Sequence, residues 1–101
     1  MKVRETSLAL RDLAGILDAL YQRSPQGAAS VVRAYERARD QLSRLPFSGR
    51  ELDEFDAWRL PLVTYPYTIF YRVRDDVGEV QILRVVHSAR VRDLGRVPED
   101  E

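Results

Sequence analysis

Lys2 to Thr6 alternates polar and apolar residues, the two-residue period of a short β-strand. From Ser7 the period lengthens. Leu10, Leu13, Ile16, Leu17 and Leu20 recur at helical spacing, which predicts an amphipathic helix over about 8–23. Gly15 within it predicts close packing on a neighbour. Ser24-Pro25 then breaks the pattern: serine caps a helix well and proline suits its first turn, so a second helix starts here. Its apolar stripe runs through Ala28, Val31, Val32, Tyr35, Ala38, Leu42 and Leu45, and Pro46 stops it. Two helices joined by so tight a turn form an αα-hairpin. Arg33, Arg37 and Arg44 fall on another face near Glu36 and Asp40, as a solvated face would.

The second half follows a different rule. Phe47-Ser48-Gly49-Arg50 reads as a turn, and the acidic stretch through Asp56 as an exposed loop. Strands are predicted over about 57–63, 67–74 and 79–87, the last two joined by a turn at Asp75-Asp76-Val77-Gly78. Pro61 places the first of these at an irregular or edge position. Strict alternation puts Val80, Ile82, Arg84 and Val86 on one face of the last strand, and Gln81, Leu83, Val85 and His87 on the other. Both faces are substantially apolar, so one covers the helices and the other is buried by something else. The order β-α-α-β-β-β implies an α+β fold: a helical hairpin on one face of a small, mostly antiparallel sheet, with the first strand at an edge.

At 101 residues the chain supports one domain over 1–101, with about 95–101 an acidic, flexible tail. No run approaches the ~18 apolar residues of a membrane span, and Met1–Glu5 lacks the apolar core of a secretory signal. The absence of cysteine excludes disulfides, thiol nucleophiles and Cys-based zinc sites. Together these predict a cytoplasmic protein with no membrane partner. Basic and acidic residues balance at 16 each, which argues against wholesale wrapping of nucleic acid. Only Lys2 is lysine; the other basic residues are arginine, which stacks, forks onto carboxylates and stays charged when partly buried.

Neither a Gly-rich phosphate loop nor an HExxH motif is present, and a single histidine excludes a multi-histidine metal site, so no metal or cofactor is expected. What remains is a set of arginines, Arg50, Arg59, Arg72, Arg84 and Arg90, set among aromatic and aliphatic strand residues close to His87. Charges in apolar surroundings are costly unless they meet something. One reading makes His87 or a tyrosine a general acid/base for RNA cleavage, with arginines steadying phosphorane charge. A second makes arginines and aromatics an anchor surface for a protein partner. In a third, His87 only closes the sheet and the arginines pair with local acids.

Several segments in a specific order carry a resemblance: DLAGIL in the first helix, the Ser-Pro break, LxxLPFSGRE, then WRLPL, YPYTIFYRV and VQILRVVHSAR. Together they resemble toxins of the RelE/ParE superfamily of bacterial type II toxin–antitoxin systems, over nearly the whole length. The ending Ile82–Arg90 is similar to the ParE branch. The resemblance implies a growth-inhibiting, non-enzymatic toxin that poisons DNA gyrase and is neutralised by a cognate, partly disordered antitoxin (ParD-like or related). Its contact surface would be Arg50, Arg59, Arg84, His87 and Arg90, with Arg33 and Arg37 available to the antitoxin. The alternative it carries is a ribosome-dependent mRNA endoribonuclease, with His87 transferring protons and Arg59, Arg84 and Arg90 holding phosphate. Direct binding of nucleic acid is expected only under that alternative.

Overall fold

The computed structural model describes residues 1–52 and 56–94. Its elements are β1 (Lys2–Glu5), α1 (Ser7–Arg23), α2 (Pro25–Arg44), β2 (Arg50–Leu52), β3 (Ala57–Pro61), β4 (Tyr67–Arg74) and β5 (Glu79–His87), with 3₁₀ turns at Asp75–Val77 and Ser88–Leu94. The acidic tail expected over about 95–101, and the Asp53–Phe55 part of the acidic link, lie outside the described residues.

The helical hairpin forms where its caps dictate. The Thr6 hydroxyl accepts the Ala9 N–H and donates to the Leu83 carbonyl, so the α1 cap is also tied to the sheet. Ser24 serves two helices at once: its N–H donates to Leu20 O at the end of α1, and its hydroxyl accepts the Gly27 N–H at the start of α2. Such a cap contributes about 1 kcal/mol. The helices share the core unequally. α2 buries Ala28, Val31, Ala34, Tyr35, Ala38 and Leu42, whereas α1 fully buries only Ala9 and presses Leu13, Ile16, Leu17 and Leu20 partway in. Leu10, expected in the buried stripe, is exposed, and Gly15 has nothing near it, so it marks no close helix contact.

The sheet runs β1-β5-β4-β3-β2, with β1 parallel to β5 at one edge and every other pair antiparallel. The β4–β5 hairpin turns on Gly78, whose φ of 64° is left-handed backbone that glycine adopts without strain. β2 is an additional strand: Arg50–Leu52, expected as turn and loop, pairs with Arg59–Ala57. Three residues are too few for periodicity to reveal.

One irregularity changes which side chains share a face. Phe70 opposes Arg84 while Tyr71 opposes Ile82, so β5 carries an extra residue there. A bulge of this kind shifts the alternation by one. Val85, not Arg84, therefore joins Val80 and Ile82 in the core under the helices. On the opposite face Ala57, Phe70, Leu83 and Val86 form a second, smaller cluster, packed against Leu52 of β2 and Val91 of the 3₁₀ segment. The second apolar face of β5 is thus packed with residues of the chain's own β2, β3 and β4 and its C-terminal turn. No helix among the described residues is long and apolar enough to cross a membrane.

Candidate functional site

The helix-free face of the sheet carries an open groove of about 780 Å³. Arg50 and Arg59 line it with Ser48, Gly49, Leu60 and Pro61, and Thr68, Ser88, Ala89 and Val91 complete the lining. Arg59 opposes Phe70, a member of the helix-free cluster, and Arg50 opposes Arg59. Two arginines thus stand directly across from each other on neighbouring antiparallel strands. Such pairs have Cβ atoms about 5 Å apart, and like charges there destabilise the sheet. Among the described residues neither guanidinium has an ion-pair partner. Along β4 on the same face, the Nε of Arg72 is buried and has no hydrogen-bond partner among the described residues.

Two aromatic contacts and one hydrogen bond lie beside this pair. Trp58 stacks on Tyr71 at 6.4 Å and meets Phe47 at 5.3 Å. The Tyr71 hydroxyl accepts the Gly49 N–H at 3.0 Å, immediately before Arg50. Burial raises the phenol above its ordinary range, with the Gly49 N–H acting weakly the other way, so the group stays neutral. Across the groove, the Thr68 and Ser88 hydroxyls share a hydrogen bond of 2.9 Å, and the Ser88 N–H donates to the Pro66 carbonyl.

The other expected site residues separate from this groove. Arg84 is answered inside the chain: its Nε and Nη2 fork onto the Asp12 carboxylate of α1 at 2.7 and 3.1 Å. The same carboxylate accepts the Val85 N–H beside the bulge. Arg84, expected to reach outward to a companion molecule, is thus already paired within the chain. His87 opposes Tyr67, which packs on the helical side, and the two rings meet edge to face at 5.7 Å. Its Nδ1 accepts the Ala89 N–H at 3.1 Å, so that nitrogen shapes the start of the 3₁₀ segment. Arg90 is exposed between two lining residues without itself lining the groove. Arg33 is exposed and donates to Ser30, while Arg37 borders a separate groove of about 340 Å³ between α2 and the end of β3, with Ala34, Ala38, Leu60 and Val63.

Chemically, the main groove can hold an anion. Paired guanidiniums fork onto carboxylate or phosphate, and Leu60, Pro61, Ala89 and Val91 offer apolar surface beside them. Among the described residues its ionisable lining groups are the two arginines, which stay charged. Among the described residues no cluster of three or more His, Asp or Glu side chains could hold a metal. The hydroxyls of Ser48, Thr68 and Ser88 escape sequence reasoning, because nothing local marks residues so far apart as neighbours. Asp12 escapes it for the same reason.

The family defined as the ParE toxin of type II toxin–antitoxin systems, parDE, matches residues 3–92. Toxin RelE2 of Caulobacter vibrioides is 37% identical over 83 residues, 82% of this chain and 90% of that protein. Among solved structures, the chromosomal ParDE toxin–antitoxin system from P. aeruginosa contains a chain that superposes with a TM-score of 0.73 at 26% identity, covering 86% of this chain and 95% of its own. A chain of the RelBE2 toxin–antitoxin complex from Mycobacterium tuberculosis does so with a TM-score of 0.59 at 32% identity, covering 85% and 88%.

Proposed function

The chain belongs to the ParE toxin family, within the RelE/ParE superfamily of type II toxin–antitoxin systems, and from that membership we propose that it arrests growth by binding DNA gyrase rather than by cutting RNA. The observation that carries this reading is the make-up of the groove. Its cationic pair is suited to grip an acidic segment, but among the described residues no histidine, carboxylate or phenol lines it to move a proton. Cleavage of a phosphodiester by its own 2′-hydroxyl needs positioned proton-transfer groups. His87, the strongest candidate, sits against Tyr67 on the other side of its strand with Nδ1 already engaged. Zero net charge points the same way, because RNA affinity rests heavily on cationic excess.

The relatives' complexes support an antitoxin partner for this chain as well. An antitoxin segment carrying carboxylates among apolar residues would answer Arg50 and Arg59 at low cost. An amphipathic stretch seated beside Arg37 on α2 would extend the contact.

The deciding experiment pairs two assays on the purified protein: gyrase supercoiling with capture of cleaved DNA, and cleavage of mRNA on programmed ribosomes. Inhibited supercoiling with intact mRNA is expected. Arg59→Ala should weaken inhibition at least tenfold, and His87→Ala should leave it unchanged. Ribosome-dependent mRNA cleavage that disappears in His87→Ala overturns the reading.

A further inference from the structure

The docking surface contains two arginines that repel each other, so something must hold β2 where it is. β2 is only Arg50–Leu52, it lies at the sheet edge, and backbone pairing to β3 alone would fray readily. Tyr71 supplies an anchor from two strands away. Its ring is fully buried on the helical side of β4 beneath Trp58, and its hydroxyl reaches past β3 to the Gly49 N–H. The approach is so close that a methyl group on Gly49 would lie 2.5 Å from both the Tyr71 hydroxyl and the Arg59 carbonyl. Glycine is therefore required there by contact rather than by backbone conformation. Phe47, in the same turn, is drawn onto Trp58.

We infer that Tyr71 and Gly49 form a latch that positions Arg50 opposite Arg59, making Tyr71 a positioning residue for partner binding although it touches no partner. The hydroxyl aligns Gly49, Gly49 sets the entry of β2, and β2 carries the guanidinium. This inference rests on the groove being the docking surface.

The test measures two things on the whole protein: backbone amide exchange at residues 50–52, and the concentration needed to inhibit gyrase supercoiling. In Tyr71→Phe, exchange at 50–52 should rise about tenfold while that of β4 and β5 is unchanged, and the inhibitory concentration should rise about fivefold. In the Arg50→Ala background, adding Tyr71→Phe should cause no further loss, because the latch acts only through Arg50. Unchanged exchange in β2, or losses that multiply in the double variant, overturns the latch. Faster exchange in β2 together with undiminished inhibition by Arg50→Ala keeps the latch and discards the groove as the docking surface. Should Tyr71→Phe fail to fold, Trp58→Phe keeps the hydroxyl while loosening the ring stack. It should then give the same non-multiplying pattern in smaller measure, and multiplying losses would count against the latch.

Discussion

Arg39 and Arg84 each end on a carboxylate brought by another element: Arg39 of α2 on Glu5 of β1, and Arg84 of β5 on Asp12 of α1, both at 2.7 Å. Arg50 and Arg59, by contrast, stand across from each other on β2 and β3, and among the described residues neither has an ion-pair partner. The same side chain thus does two kinds of work. Where it is enclosed with an acid it clamps helices to strands, and its hydrogen bonds are spent within the fold. Where it is set against a like charge the pair costs the sheet stability, and an anionic partner would remove that cost. Conspicuous arginines in a sequence are therefore weak guides to a binding surface until their partners are known.

Removing one partner of an internally paired arginine should give the largest effect. Asp12→Ala strands the Arg84 guanidinium and the Val85 N–H at half-buried sites and should cost about 2–3 kcal/mol in urea unfolding. Replacing both members, as Asp12→Leu with Arg84→Met, should recover most of that loss. If the single and double variants are equally unstable, the clamp is not the source of the cost. For the opposed pair the contrast should reverse: Arg59→Ala should change stability by less than about 0.5 kcal/mol while weakening gyrase inhibition. A large stability loss there would place Arg59 among the structural arginines and erase the distinction.

The Glu5 clamp offers a subtler test through pH. Burial acts to raise its carboxyl, but hydrogen bonds from Arg39 and Tyr35 and the charge of Arg39 prevail, leaving it below the ordinary value of 4.5. A carboxyl lowered by folding stabilises the native state fully above its unfolded value, and that contribution fades as pH falls through the folded one. Glu5→Gln should therefore cost about 1 kcal/mol near neutrality and show a shallower loss of stability below about pH 4.5. A parallel pH profile for the two proteins would contradict this. The smallest effect belongs to the exposed Arg44–Asp40 pair on α2, where Arg44→Ala should cost about 0.3 kcal/mol, at the edge of detection by thermal melting.

Local chemistry alone was enough for the helical hairpin with its Ser24-Pro25 joint, the β4–β5 hairpin turning at Gly78, and the α+β order. Each rests on periodicity, caps and turn residues within a few positions of one another. Arg50 and Arg59 could likewise be picked out as candidates from the chain. Which arginines stay unanswered was decided only by tertiary structure. One extra residue in β5 moved Arg84 out of alternation, and a carboxylate 72 residues away captured it. A three-residue edge strand, too short to register as a period, set Arg50 against Arg59, and a phenol 22 residues from Gly49 fixed its entry. Sequence patterns report each residue's preferences towards its neighbours in the chain. Charge pairing depends on neighbours in space, and those exist only once the sheet and helices have closed on each other.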